Sequence, residues 1–244
     1  MTPRTRRIVW TAALLLAFTT AIRVILTLPL TTLQGVNYEV RTYRIPAYVK
    51  AIDFVQRHYQ HDVLVSRLCE GIAAGAGCVL ALFDWTYRNI RPTPDGWPVI
   101  DDHPTNIIIR GYGKSDQIAD VFTTLSVYAG LPAFLKFVVE PHQRKMLVLS
   151  FVHLGGKWVV FDVERHIAFR NRQGELASVE ELLADPALVD SQASGLRVAD
   201  LPYSAFVSKE TLLPFVVPSP VRGILHQPWP RLRYELRRAV GWAE

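Results

Sequence analysis

Residues 111–133 read GYGKSDQIADVFTTLSVYAGLPA. The glycines at 111 and 113 predict a turn, and the apolar residues that follow recur with the spacing of one helix face, at Ile118, Val121, Phe122, Leu125 and Tyr128. Gly130 and Pro132 predict where that helix ends. Ser115 lies where the turn becomes helix, a position at which serine is a favoured capping residue. The stretch therefore predicts a central amphipathic helix that begins at Ser115.

The flanking segments predict helices before this stretch and strands after it. Helical spacing of apolar residues runs from 47 to 90, and prolines with an Asp-Gly pair predict a loop at 91–98. Strand patterns follow at 134–139, 146–152 and 157–162, and Leu154-Gly155-Gly156 predicts a hairpin turn between the last two. A capping box at Ser178–Glu181 opens a short helix. This order predicts an α+β fold, with helices packed on an antiparallel sheet.

The first 30 residues predict a membrane anchor. Residues 8–22 carry no charge, and apolar residues resume after Arg23 as far as Leu30. A spanning helix needs about 20 mostly apolar residues, so the span has to continue past Arg23, whose stem can snorkel near the outer end. The alternative is a secretory signal peptide that is cleaved near Thr19-Thr20-Ala21.

Three arginines near the start of the chain, Arg4, Arg6 and Arg7, predict its orientation. By the positive-inside rule they place the N-terminus in the cytoplasm and the rest of the chain outside. We therefore expect a single-pass protein of the inner or plasma membrane with an exported, periplasmic domain. Residues 31–46 read as an extended tether, 47–170 as the domain and 171–244 as an extension with proline-rich and basic amphipathic segments.

The net charge of +5 is spread thinly along the 244 residues. No basic run with interleaved aromatic residues occurs, so nucleic acid is not an expected partner. The clearest basic cluster is C-terminal, in a segment that can lie on a membrane surface, dock on a partner or pack back on the domain. Expected contacts with the lipid bilayer or with other membrane-protein subunits are Arg4, Arg6, Arg7, Trp229, Arg231, Arg233, Arg237, Arg238 and Trp242.

The two cysteines, Cys69 and Cys78, leave two alternatives open. In one continuous helix they would lie too far apart to bond, whereas a loop through the intervening glycines would allow a disulfide in an oxidising compartment. Otherwise they are two buried apolar residues. The sequence contains no CxxC or HExxH spacing, and we expect neither a metal nor a cofactor.

Four pieces of the chain, in their order and spacing, resemble a known family. They are DWTYRNIRP (84–92), the stretch at 111–133, the strand before the hairpin, and GGKWVVFDVERH (155–166). Residues 64–166 thereby resemble the core of the transglutaminase-like, papain-type cysteine-enzyme superfamily. The resemblance implies a fold in which a helix begins at a catalytic cysteine and packs on a hairpin that carries a histidine and an aspartate.

The resemblance also assigns the positions of a Cys-His-Asp triad. In the family, the helix N-terminus favours the thiolate, the histidine accepts the thiol proton, and the aspartate orients the histidine. The corresponding positions here are Ser115, Leu147 and Asp162, so the chain retains one member of three. Capping alone explains a serine at the helix start, and we expect Asp162 to bond the backbone of the turn that follows it. The resemblance therefore implies a degenerate site with no catalytic residues.

A histidine from outside the motif could still activate Ser115 if it lay within hydrogen-bond reach. His153 shares a strand face with Leu147 but is further along the strand, and His142 differs from it by an odd number of residues. His103 and His166 lie outside the motif.

Three functions follow from these observations. The favoured hypothesis is an anchored, exported transglutaminase-like domain that has lost catalysis and acts as a binding or scaffolding subunit. The second is a serine-dependent amide hydrolase or acyltransferase that acts on exported peptides or cell-surface polymers. The third is a periplasmic structural domain without a ligand.

Overall fold

A computed structural model of the chain describes residues 2–36, 39–97 and 103–239. The chain divides into two compact units, Met1–Gln56 and Arg57–Glu244. The division falls within one long helix rather than at residue 46, where the sequence places the end of the tether.

The first unit contains the predicted anchor and a hairpin. Helix α1 (Pro3–Thr27) is mostly apolar apart from the arginines near its start and Arg23, with a mean hydropathy of 2.0 in its most apolar part. It is long and apolar enough to cross a membrane by length and composition. Strands β1 (Pro29–Val36) and β2 (Glu39–Pro46) pair antiparallel over their whole length. The predicted tether is therefore largely a two-stranded hairpin. Helix α2 (Ala47–Leu68) begins in this unit and ends in the second.

The second unit mixes short helices with one central sheet. Its elements are α3 (Ala76–Asn89), β3 (Arg91–Pro92), α4 (Pro104–Arg110), β4 (Tyr112–Gly113), α5 (Ser115–Tyr128), β5 (Ala133–Val139), β6 (Met146–Leu154), β7 (Lys157–Asp162), β8 (Ile167–Ala168), α6 (Val179–Ala184), α7 (Ala187–Gln192), β9 (Arg197–Val198), β10 (Leu201–Pro202), α8 (Lys209–Leu212) and α9 (Pro228–Ala239). Two 3₁₀ helices, Tyr203–Phe206 and Arg222–His226, lie in the C-terminal part. The predicted α+β class is confirmed.

The central sheet is an antiparallel meander in the order β5-β6-β7-β8. Its tightest turn joins β6 to β7, where Leu154 pairs with Lys157 across Gly155 and Gly156. Both glycines have positive φ, 57° and 82°, which is the backbone that a two-residue hairpin turn requires. The predicted hairpin is thus confirmed, and the structure adds its register.

The two faces of this sheet contact different parts of the chain. Phe161 lies 5.1 Å from Phe122 of α5, ring centre to ring centre; we call this side the helix face. Phe151, which pairs with Val160 next to Phe161, lies 5.2 Å from Phe215 of the C-terminal segment; we call this side the extension face. Because successive strand residues point to opposite faces, strand position decides which part of the chain a side chain meets.

The predicted C-terminal extension belongs to the same compact unit as the sheet. Its buried side chains include Leu182, Val189, Tyr203, Phe206 and Leu212, and they form one core with the sheet and α5. Residue 170 is therefore not a boundary between compact units.

Of the two alternatives for the cysteines, the structure has the disulfide. α2 ends at Leu68 and α3 begins at Ala76, so a loop brings the Cα atoms of Cys69 and Cys78 to 5.0 Å, and the two sulfurs are bonded.

Candidate functional site

The start of α5 is held by Gln117 rather than by Ser115. Lys114 is the N-cap residue and Ser115 is the first residue of the helix. The Oε1 atom of Gln117 accepts hydrogen bonds from the backbone N–H of Lys114 at 3.0 Å and from the guanidinium of Arg110 at 3.1 Å. Among the described residues, the Ser115 side chain has no hydrogen-bond partner. The interpretation of Ser115 as the capping residue is therefore wrong. Gln117, two residues further along the helix, provides the side-chain hydrogen bond to the N-cap backbone instead.

Close packing beneath this turn explains the glycine at 113. A Cβ atom added to Gly113 would lie 3.0 Å from the Cβ of Gln117 and 3.3 Å from a methyl group of Ile107. A larger residue would push Gln117 away from the helix start.

Ser115 lines a shallow pocket of about 280 Å³. The loop that follows β3 forms one side, with Asp95 and Trp97, and Lys114 lies beside Ser115. Glu164, in the turn after β7, also lines the pocket. Within the described part of the chain, the pocket therefore contains carboxylates, an ammonium group and a hydroxyl, but no histidine and neither of the other two triad positions.

The Asp162 carboxylate is hydrogen-bonded to Arg165 and Tyr203. The side chain is fully buried. One oxygen accepts from the backbone N–H of Arg165 at 3.0 Å, which is the bond to the following turn that the sequence predicts. The other accepts from the guanidinium of Arg165 at 3.1 Å and from the hydroxyl of Tyr203 at 2.7 Å. Tyr203 belongs to the C-terminal segment, so Asp162 points to the extension face, as its position next to Phe161 requires.

Charge and burial keep the Tyr203 phenol and the Arg165 guanidinium protonated at neutral pH. Burial raises the pKa of Tyr203 well above its ordinary value, and the neighbouring Asp162 carboxylate raises it further, so the phenol remains a donor. Burial by itself would lower the pKa of Arg165, but the charges of Asp162 and Glu164 outweigh it and raise that pKa. Arg165 lies 3.1 Å from both carboxylates and so links buried Asp162 to Glu164 at the Ser115 pocket.

Leu147 lies on β6 with only 2 % of its surface exposed. It pairs with Val138 in an uninterrupted register, and it shares the extension face with Phe151. The position that the sequence resemblance assigns to the histidine is thus part of the apolar core.

No histidine among the described residues is hydrogen-bonded to Ser115. His166 lies 2.7 Å from Asp84 and stacks between Phe83 and Tyr87. His153 contacts the ring of Trp158 at the hairpin, His142 lies on an exposed turn, and His103 accepts from the backbone N–H of Thr105 at the start of α4.

A cluster of four histidines, which we did not predict, lies where four elements meet. His58 and His61 come from α2, His103 precedes α4, and His226 ends the last 3₁₀ helix. Ring centres of His103 and His226 are 4.5 Å apart, and His61 is 5.8 Å from His103. The hydroxyl of Tyr128, at the end of α5, donates to the backbone carbonyl of His226 at 2.8 Å and lies 3.0 Å from Nδ1 of His58. These residues are up to 168 positions apart (226 − 58), so no local pattern could have revealed the cluster.

Three histidines of the cluster, His61, His103 and His226, have lowered pKa values. Burial is the largest cause and lowers the pKa of His61 to about 4, that of His103 to about 2 and that of His226 to about 4. These values already include smaller contributions from the neighbouring histidines and from the charges of Arg57, Arg222 and Arg231. Within the described part of the chain, no group of three His, Cys, Asp or Glu side chains could hold a metal ion.

The predicted contact residues fall into two groups. Arg4, Arg6 and Arg7 are exposed on the first turns of α1. Trp229, Arg231, Arg233, Arg237 and Arg238 are exposed on α9. Trp242 lies outside the described residues.

Comparison with known proteins leads to solved structures only. No protein-family model and no curated protein matches the chain. A protein described as a "putative cysteine protease" from Cytophaga hutchinsonii is similar to 53 % of the chain at 20 % identity and a TM-score of 0.39. A "putative protease" from Parabacteroides distasonis and a TGase are each similar to 55 % of it, at 13 % and 12 % identity, both with a TM-score of 0.36.

The chain spans less than half the length of each of these proteins, namely 44 %, 35 % and 43 %. The solved structures that it is similar to are thus of the transglutaminase and protease kind that the sequence resemblance predicts, and the similarity is one of fold alone.

Proposed function

We propose that this protein is a membrane-anchored, exported transglutaminase-like domain that does not catalyse a reaction. It acts as a binding or scaffolding subunit of a membrane-associated assembly. The observation that carries the proposal is the surroundings of the three triad positions: among the described residues, Ser115 lines a pocket without a histidine, Leu147 is buried in the apolar core, and Asp162 is bonded to Tyr203.

The loss of catalysis follows from the chemistry of serine. A serine hydroxyl is a weak nucleophile at neutral pH unless an adjacent base accepts its proton. Glu164 lines the same pocket, but its carboxylate is paired with the guanidinium of Arg165 at 3.1 Å, and among the described residues it makes no hydrogen bond to Ser115.

Labelling with a fluorophosphonate probe tests this part. The full-length protein in mild detergent is expected to remain unlabelled under conditions in which an active serine hydrolase, added to the same sample, reacts completely. Stoichiometric labelling that Ser115→Ala abolishes would overturn the proposal in favour of a serine-dependent amide hydrolase or acyltransferase.

The anchor and the export are supported by α1 and by the disulfide. Arg4, Arg6 and Arg7 precede the apolar part of α1, the arrangement that keeps an N-terminus in the cytoplasm. A disulfide such as that of Cys69 and Cys78 persists in oxidising compartments. A phosphatase reporter that is active only outside the cytoplasm, fused after residue 239, is expected to be active. The same fusion with Arg4, Arg6 and Arg7 replaced by glutamate serves as the orientation control.

An apolar stripe on α2 supports a protein partner. Tyr48, Ile52 and Val55 recur at intervals of four and three residues, and all three side chains are exposed. Such a stripe on a helix is commonly buried against another chain. The full-length protein is expected to purify with a stoichiometric membrane-protein partner, and Ile52→Asp is expected to release it. Gln56→Asp, which adds the same charge at an exposed polar site, is the matched control.

A further inference from the structure

The last helix, α9, presents an apolar face to solvent. Trp229, Leu232 and Leu236 are 74 %, 47 % and 58 % exposed. Their intervals of three and four residues place them on one side of the helix. α9 begins two residues after the 3₁₀ helix Arg222–His226 ends. Because these three side chains are exposed, α9 does not bury its apolar face against the domain, which is one of the alternatives that the sequence leaves open.

The arginines of α9 are not equivalent around the helix. Arg233 follows Leu232 and Arg237 follows Leu236, so these two, four residues apart, border the apolar face on the same side. Arg231 and Arg238, seven residues apart, share another side. Arg231 is paired with Glu235 at 2.7 Å, which is the only acidic side chain among the described residues of α9.

We propose that α9 lies flat on an anionic membrane surface, with Trp229, Leu232 and Leu236 in the interface and with Arg233 and Arg237 on lipid phosphates. An amphipathic helix of this kind binds through its buried apolar area and through attraction to anionic headgroups. An aromatic residue with an apolar body and a polar edge is favoured at the headgroup level. A protein partner would need acidic side chains at positions that match Arg233 and Arg237. An anionic bilayer instead carries negative phosphates over its whole surface.

The inference rests on the proposed membrane anchor and deepens it. A helix of 12 residues binds a bilayer weakly by itself. α1 would hold the chain at the membrane, and tethering raises the effective concentration of the second contact. The arginine pair next to the apolar face therefore decides whether α9 is on the surface or in water.

The test uses the full-length protein in nanodiscs of phosphatidylcholine alone and of phosphatidylcholine with phosphatidylglycerol. Leu236→Cys provides one new thiol for a nitroxide label, because both native cysteines are in the disulfide. In the anionic nanodiscs the label is expected to lose collisions with a water-soluble nickel complex and to gain collisions with oxygen. Arg233→Gln/Arg237→Gln is expected to abolish this change. Arg231→Gln/Arg238→Gln, which removes the same charge from the other side, is expected to preserve it.

Three results would overturn the inference. A label that remains accessible to the nickel complex in both nanodiscs would show that α9 stays in water. A label protected in both would show burial in a protein contact, and equal loss in the two double variants would show that only net charge matters. Failure of the full-length protein to co-purify with lipid would instead contradict the anchor itself, and the inference would be lost with it.

Discussion

Tyr203 donates a 2.7 Å hydrogen bond to Asp162, and both side chains are buried. Asp162 is the only triad position that keeps its residue type, yet its carboxylate serves to attach the C-terminal segment to the central sheet. The carboxylate that the resemblance assigns to a triad is thus a structural contact between the sheet and the C-terminal segment.

Removing the Tyr203 hydroxyl is expected to destabilise the protein. Tyr203→Phe leaves one acceptor position of a buried carboxylate unfilled, and a hydrogen bond to a charged group contributes about 1.5–3 kcal/mol. The free energy of unfolding, measured with urea on the full-length protein in detergent, is expected to fall by that amount. Tyr59→Phe, at an exposed tyrosine of α2, is the control, with a change below about 0.5 kcal/mol. Equal stability of the two variants would contradict the assigned bond.

The histidine cluster is expected to make stability depend on pH. Burial lowers the pKa of His61 and His226 from 6.5 to about 4 in the folded protein, so below pH 6.5 the unfolded chain binds protons that the folded one does not. Stability is therefore fully present above that pH and declines as the pH falls towards 4. His226→Gln is expected to reduce the slope of unfolding free energy against pH, whereas His142→Gln, on an exposed turn, leaves it unchanged. A slope that His226→Gln does not alter would exclude the cluster as its origin.

Loss of the disulfide is expected to lower stability by about 2–4 kcal/mol, because the bond constrains the unfolded chain. The double variant Cys69→Ser/Cys78→Ser should show this decrease in urea unfolding. Reductant should lower the stability of the wild type to a similar value and leave the double variant unaffected. Two free thiols in the unfolded, unreduced wild type would contradict the bond.

Restoring the missing residue types is expected not to restore a triad. In Ser115→Cys/Leu147→His, the new imidazole would lie in the apolar core on the extension face, where Leu147 contributes to burial, while residue 115 lines a pocket with Glu164. A general base contributes about 10²–10⁴-fold to a rate. Hydrolysis of an activated ester by the double variant is expected to match that of Ser115→Cys alone, with folding verified by circular dichroism. A rate two orders of magnitude above that of Ser115→Cys alone would contradict this expectation, because it would show that the new cysteine and histidine are close enough to react as a pair.

Local patterns were sufficient to predict most of the elements. The helical spacing from Ile118 to Tyr128 and the two glycines after Leu154 predict α5 and the β6–β7 hairpin, because both depend on interactions within a few residues. The sequence predicts an extended tether at residues 31–46, whereas the structure has a hairpin at 29–46, because strand pairing depends on a partner segment as well as on propensity.

The sequence by itself determined that a helix begins at residue 115, that no histidine occupies position 147, and that an apolar segment precedes the domain. Only the tertiary structure decided which side chains meet. Gln117 caps α5, Glu164 lines the Ser115 pocket, and Asp162 faces Tyr203, 41 positions away. The physical reason is that a strand presents alternate residues to opposite faces: spacing predicts which residues share a face, but only packing determines what that face contacts.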